Sequence, residues 1–378
     1  MADIIETAIN AIKGNENETT VMVSTTPKPL AWNGVQGCKR FTTPVTVSEA
    51  AEAAGANYQV EKRHMVAITD ELYNAIINGE NITEASFTSH DIMDSHMATV
   101  RGDNGTILGC VGSNYGVIQN ADSMEFFNHI LNGDVSSTSE KAVIDTAGTL
   151  QDGGIFYLSA KMSSDIQIQG DNSPIEDYLL ITNSHNGSYA LSVLFTGVRV
   201  VCRNTLMAAL KGAKNKLIYK HSSRVSERMD LTREANFQRA SEVLKFHEEY
   251  KKAFIEDLEH LRSIQLNEKQ VMDMVCRIFA DEKEMNAIRS NYYKIDGIDT
   301  DTLSTRKKNL IHSLMDSVES GIGQDTNRGS GLFLYNGITT YAQNERTYKT
   351  EEDKFDSIIN GDMSKKVQKM HDMILEYA

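Results

Sequence analysis

Apolar positions along the chain change their spacing twice. Near the start, Ile4, Ile5, Ala8, Ile9 and Ile12 fall three and four apart, which predicts one face of a helix over roughly the first 20 residues. Pro27, Pro29 and Pro44 then bracket the single tryptophan, Trp32. Each proline fixes its φ and removes a donor, so this run should be irregular, with Trp32 capping an end of the core. Residues 47–54 restart a helix, with Thr46 or Ser48 as its cap.

From about residue 97 the spacing shortens to two, the strand period. MATVRGDNGTILGCVGSNYGVI alternates around Asn104-Gly105, a hairpin signal because such turns require positive φ. A helix is expected in SMEFFNHIL, residues 123–131. IFYLSAKM, DIQIQG, DYLLITNS, SYALSVLF and VRVVC follow, separated by turn clusters such as GDNSP and HNGS. Together they predict a meandering antiparallel sheet of about six or seven strands.

Beyond Cys202 the spacing lengthens again. Asn204 or Thr205 caps an expected helix in LMAALKGA, and a long helix is expected over 231–263. There Ala240, Val243, Leu244, His247, Phe254, Leu258 and Leu261 form one stripe, suited to core packing or to a homo-oligomer contact. Asn267 and Gln270 form a capping-box pair ahead of KQVMDMVCRIFA. Further helices are expected at 302–319 and 355–375, with the glycine-rich GIGQDTNRGSG and an apolar, aromatic stretch between them. The fold class is α+β: an N-terminal meandering antiparallel β-sheet with short helices, followed by a largely helical C-terminal part. The expected divisions are 1–45 (helix and Pro/Trp segment), 46–230 (sheet core with a basic segment) and 231–378 (helical region with the Gly-rich loop).

Composition adds limits. With 378 residues, 40% hydrophobic and 24% charged, the chain can bury a sizeable core. No run approaches the ~18 apolar residues of a membrane span. The start lacks the basic and apolar regions of a secretion signal, so a cytoplasmic location away from membranes is expected. Cys38, Cys110, Cys202 and Cys276 are far apart with no CxxC pair, which predicts buried reduced thiols. Charge changes the picture more. The net charge is −14, yet residues 1–200 hold 10 Lys/Arg against 24 Asp/Glu, whereas 201–378 hold 28 of each. From Arg203 to Arg228 there are seven basic residues and one acid, a local polyanion signal within an acidic chain.

Several segments, in order, resemble one family: PLAWNG (29–34), RGDNG with Leu108-Gly109 (101–109), YGVIQN (115–120), TAGTL (146–150), YLLITNSHNGS (178–188), VRVVCRNTL (198–206), YNGITTY (335–341) and Lys365-Lys366. The chain is similar in these to the phage/plasmid-like protein family, also called domain of unknown function 932, over roughly residues 25–375. The resemblance implies a bacteriophage, prophage or plasmid setting, often among genes that handle DNA, and it implies no particular reaction. Asn186 stands where the family's usual His-Asp-Gly-Ser has its acid, and the usual Trp near Phe333 and Leu334 is absent.

Candidate chemistry concentrates near the end of the strand-rich part. Arg199, Arg203 and Asn204 lie at the last strand and the expected helix start, where arginine forks and helix amides suit phosphate; pairing with the surplus acids fits them equally. Lys211, Lys214, Lys216, Tyr219, Lys220, His221, Arg224 and Arg228 interleave cations with an aromatic, a pattern for single-stranded nucleic acid, against the ordinary alternative of a solvated helix face. His185, Asn186 and Ser188 read first as a turn held by its own hydrogen bonds and second as a polar site. His90, Asp91, Asp94 and His96 could ligate a metal but match no catalytic spacing. GIGQDTNRGSG lacks the GK[ST] of a phosphate loop, and no nucleophile has a recognisable base. No cofactor is implied.

The leading expectation is a non-catalytic DNA-transaction protein of a phage or plasmid that binds single-stranded DNA and assists annealing or recombination. The alternative is an accessory protein that binds a host defence or replication protein. A metal-dependent nuclease, which needs His90, Asp91, Asp94, His96 or His185 to converge, ranks last.

Overall fold

The computed structural model describes residues 39–80, 92–133, 142–162, 165–169, 175–199, 205–206, 216–222, 233–321, 327–359 and 361–378, and across them the α+β order holds. The expected N-terminal helix, Trp32 and most of LMAALKGA lie outside these residues. Strand β1 (Lys39–Arg40) leads into α1 (Val47–Ala53). Thr46 caps that helix reciprocally: its hydroxyl accepts from the Glu49 amide, and the Glu49 carboxylate accepts from the Thr46 amide at 2.7 Å.

Two sheets follow where one meander was expected. The smaller holds β2 (Val60–Val66), β3 (Ile92–Arg101) and β4 (Ile107–Gly112), all antiparallel, with α2 (Asp70–Asn78) between β2 and β3 in sequence. The β3–β4 hairpin turns at Asn104-Gly105, with Gly105 at φ +77°. Apolar spacing does not signal β2, because Glu61–His64 is a run of four polar residues.

The larger sheet runs β1-β5-β6-β7-β8-β10, with β9 also on β8. Its strands are β5 (Val143–Leu150), β6 (Ile155–Lys161), β7 (Ile175–Ser184), β8 (Leu191–Arg199), β9 (Thr205–Leu206) and β10 (Lys216–Tyr219). DIQIQG is not a strand; it makes one bridge, Ile166 to Ile175. Its alternation reports burial of Ile166 and Ile168, not ladder pairing. SYALSVLF and the start of VRVVC fuse into the single strand β8. Thr205 and Leu206, expected to open a helix, form β9 on Val198 and Gly197, whose backbone groups they satisfy.

Central strands are buried on both faces, one parity to each side. On one side Phe156, Leu158, Ile181, Val193 and Phe195 join a core that continues through α3 (Asn120–Gly133) and α4 (Arg233–Ser263). On the other, Tyr157, Tyr178, Leu180 and Leu194 pack with Phe355, Ile358 and Ile359 of α9 (Glu351–Ile359). The remaining helices are α5 (Glu268–Phe279), α6 (Glu282–Ser290), α7 (Thr305–Ser320), α8 (Gly331–Thr340) and α10 (Asp362–Leu375). The Asn267–Gln270 capping box opens α5 as expected. The helix expected over 355–375 is instead split between α9 and α10, with Gly361 as the N-cap of α10.

One cluster of buried residues runs from Val47 of α1 through the sheet to Ile374 of α10, so sheet and helices share a core. The α4 stripe is used inside it: Ala240, Val243, His247, Phe254, Leu258 and Leu261 are all buried, which removes the ground on which that stripe suggested self-association. Cys276 is buried and its thiol is pushed up to about 12 by burial, with Asp273 adding to the shift. Cys110 is exposed, contrary to expectation, because a register shift leaves Leu108 as an extra residue opposite Thr99–Val100, so that Leu108 and Val111, three apart, turn inward and Cys110 does not. Among the described residues no helix is long and apolar enough to cross a membrane.

Candidate functional site

Strands β9 and β10 share one edge of the larger sheet. β9 lies on Gly197 and Val198, and β10 on Leu191–Leu194. No further strand pairs with either among the described residues. Alternation gives Lys216, Ile218 and Lys220 one parity and Leu217 and Tyr219 the other. Ile218 is 53% exposed and Lys220 is exposed. Tyr219 is half-buried, with its ring edge-on to Phe126 at 5.6 Å, so the core takes up much of the aromatic surface that the sequence offered to a base. Arg199 ends β8. Arg203, Asn204, Lys211, Lys214 and Arg224 lie outside the described residues, so of the expected set the structure brings only Lys216, Tyr219 and Lys220 together.

Just past β10 the chain meets the smaller sheet. Ser222 bridges to Tyr115, and the His221 ring stacks on the Tyr115 ring at 4.7 Å. Tyr115 donates its hydroxyl proton to the Ser184 carbonyl at 2.7 Å, and burial pushes its pKa up. Lys62 of β2 donates to the Ser113 and Tyr115 carbonyls at 2.9 and 3.0 Å. Lys62 therefore adds a cation beside the end of β10 that the sequence, where it stands alone among polar residues, did not flag.

At this joint the HNGS turn divides its residues. Asn186 holds the turn, its Oδ1 accepting from the Ser184 hydroxyl at 2.6 Å and the Ser188 amide at 2.9 Å. His185 does not. Its ring is fully buried and reaches Asn120, with Nε2 2.8 Å from Oδ1. Asn120 donates its amide to the Ala56 carbonyl at 3.0 Å, which fixes Oδ1 as the acceptor and Nε2 of His185 as the protonated nitrogen. His185 Nδ1 then carries a lone pair and meets no hydrogen-bond donor among the described residues. His221 is in the same state: Nδ1 donates to the Gly116 carbonyl at 3.1 Å, and the buried Nε2 has no partner.

Burial, and then neighbouring His221, pushes the His185 pKa down to about 3; burial pushes His221 down to about 4. Imidazoles so far from neutral pH accept hydrogen bonds but are poorly matched to proton shuttling. Around them, Tyr58 donates to the Gly153 carbonyl at 2.6 Å and lies under the Arg101 guanidinium, 4.0 Å from the ring centre. The Arg101 fork holds the Asp103 carboxylate below its usual range. Segments RGDNG, YGVIQN and TNSHNGS thus meet at one joint between the two sheets.

Other polar groups lie deeper. Asp177 of β7, 1% exposed, accepts from His247 of α4 at 2.8 Å, with the Lys251 ammonium 3.5 Å away. Asp257 pairs with fully buried His371 at 2.8 Å. The only sequence signal for these pairs is a lone charged or histidine residue at an apolar position of a strand or helix. Of the metal candidates, Asp94 and His96 stand on the exposed part of β3, and His90 and Asp91 lie outside the described residues. Among the described residues no group of three or more His, Cys, Asp and Glu side chains could hold a metal ion.

No curated protein and no solved structure matches the chain. The family model for the Domain of unknown function (DUF932) matches residues 107–360, about two thirds of the chain, from β4 through α9. That span contains His185, Asn120, Tyr115 and His221 of the joint, the β9–β10 edge and both buried Asp–His pairs except His371, whereas Tyr58, Lys62 and Arg101 precede it. The chain belongs to the DUF932 family.

Proposed function

We propose that this chain is a non-catalytic DNA-transaction protein of a phage or plasmid, which binds single-stranded DNA along the β9–β10 edge and assists annealing or recombination. One observation carries the reading. Two stretches of the segment from Arg203 to Arg228, with seven basic residues and one acid, form the outer edge of a sheet that no other strand covers among the described residues. An edge strand offers an extended row of backbone groups and alternating side chains, and a flexible polyanion can follow it. In this reading Arg199, Arg203, Lys211, Lys214, Lys216, Lys220 and Arg224 neutralise phosphates, Asn204 donates a hydrogen bond to one, and the exposed part of Tyr219 meets a base. Phosphate neutralisation is the main contribution, because Phe126 already occupies Tyr219. The test is fluorescence anisotropy with a labelled single strand of about 40 nucleotides at two salt concentrations, beside a duplex control. Binding that prefers the single strand and weakens steeply with salt is expected. Absence of binding at low salt sinks the reading.

A second reading, a factor that binds a host defence or replication protein, rests on a different observation. Val66, Ile68, Tyr73, Ile77, Ile92 and Met93 are all exposed on or beside the outer ends of β2, β3 and α2. Exposed apolar side chains gathered in one region mark protein contacts more often than nucleic-acid contacts. Pull-down from nuclease-treated host lysate, compared between the native chain and a Val66→Lys/Met93→Lys variant, separates the two. Capture of the same proteins by both forms would remove this reading.

A further inference from the structure

We infer that the groove between α5, α6 and α10 is a binding site for a phosphate-bearing ligand of about nucleotide size, held by Arg277, Lys365 and Lys369. The groove measures about 670 Å³, within the range of small-molecule sites. It lies in the helical layer and is separate in chain and in fold from the β9–β10 edge, so it stands whether or not that edge binds DNA.

Of the four cations that line the groove, Arg277 and Arg289 are paired with Asp273, whereas Lys365 and Lys369 have no carboxylate within ion-pair distance among the described residues. Lys365 is exposed, and among the described residues its ammonium makes no hydrogen bond or ion pair. Among the described residues Lys369 donates only to the carbonyl of Arg277, and burial, then Arg277 and Lys366, lower its pKa. A lysine lowered partly by other cations marks positive charge that the protein itself leaves uncompensated. Arg277 and Arg289 are both anchored on the Asp273 carboxylate, at 3.2 and 2.9 Å, which fixes their guanidinium planes while leaving further N–H donors.

The groove also holds four carboxylates, and two of these are hydrogen-bonded. Asp281 caps α6, accepting from the Glu284 amide at 2.9 Å, and Asp372 accepts from Gln368 at 2.9 Å. Glu376 comes only to 4.0 Å from Arg277, and Glu282 sits in the exposed first turn of α6. Along α10 the groove is thus lined first by Lys365 and Lys369 and then by Asp372, with Glu376 just past the helix end. Met285, Met373 and Ala280 supply apolar surface between them. A ligand with a phosphate at one end and a flat, hydrogen-bonding body at the other matches this division: lysines and Arg277 for the phosphate, methionines for the body, exposed carboxylates for its N–H or hydroxyl donors.

The experiment titrates the full chain with a fluorescent ADP analogue and competes it with pyrophosphate, with ADP, and with an oligothymidylate carrying or lacking a 5′-phosphate. Binding of the analogue, displacement by pyrophosphate, and a tenfold or greater weakening in both Lys365→Glu and Lys369→Glu are expected, with Lys220→Glu binding as the native chain does. Both groove lysines are exposed, and circular dichroism checks that the variants fold. Displacement by the 5′-phosphorylated strand alone assigns the phosphate to a nucleic-acid end, and displacement by ADP alone assigns it to a free nucleotide; either supports the site. No binding of the analogue at millimolar concentration, or binding by both groove variants equal to that of the native chain, overturns it.

Discussion

A side-chain carbon placed on Gly109 would stand 2.5 Å from the Cα of Asn186, closer than any real contact of that kind. The backbone of β4 therefore runs directly against the turn after β7, and Thr99 of β3 ties the same place by donating to the His185 carbonyl at 2.6 Å. The LG and HNGS segments are two sides of one contact between the sheets. Gly109→Ala must push backbone against backbone, where no rotamer change relieves the clash, and should cost about 1–3 kcal/mol. Urea denaturation of the variant measures this, and an unchanged midpoint would mean that the sheets part readily.

His185 and His221 make the fold sensitive to acid. Their folded pKa values of about 3 and about 4 lie below the value of 6.5 for a free histidine. The unfolded chain therefore binds more protons in that interval. Their contribution is complete above about pH 6.5 and is lost as the pH falls toward 4 and 3. Denaturation midpoints should fall across this window. In His185→Gln, whose amide can still donate to Asn120 and does not titrate, the fall should be shallower. Identical pH profiles for the two proteins would assign the loss to other groups.

Asp177 offers a second test of the interior. Its carboxylate accepts from His247, whose ring also stacks on Phe195 at 4.6 Å. Asp177→Ala leaves a buried imidazole without that acceptor and should destabilise by about 3–5 kcal/mol. Asp177→Asn keeps an acceptor oxygen and should cost less. Thermal unfolding of both variants checks the order, and equal losses would show that the charge of Asp177, not the acceptor oxygen that Asn keeps, matters at this position.

These sites show where sequence reading succeeds and where it stops. The Asn104-Gly105 hairpin, the Asn267–Gln270 cap and the α4 stripe are local patterns, and each appears where its residues predicted it. β9 and β10 are not local: Thr205 and Lys216 become strands because β8 presents backbone groups to them, and nothing within either segment states that. The same limit applies to the site. Asn186 bonds within its own turn and was legible, whereas the His185 partner lies 65 positions away at Asn120. Asp177 was illegible for the same reason, its partner being His247 on a helix that begins beyond the sheet.

The β9–β10 edge makes a quantitative claim about salt. Each lysine that neutralises a phosphate releases condensed counterions on binding, so its removal lowers the slope of log affinity against log salt by roughly 0.7 for a single strand. Lys220, exposed at the end of β10, is the described member of the set best placed to show this. Lys220→Ala should weaken binding to all single strands alike and reduce the slope by about that amount, because a phosphate contact carries no sequence information. Lys62 is the informative comparison. Its ammonium is held by the Ser113 and Tyr115 carbonyls beside the His221 stack, next to the end of β10. If the strand runs on past Ser222 toward β2, Lys62→Ala lowers the slope by a similar amount; if it leaves the sheet at Lys220, the Lys62→Ala slope matches the native chain. Anisotropy titrations at four salt concentrations resolve the two courses, and a native slope in Lys220→Ala would remove β10 from the interface.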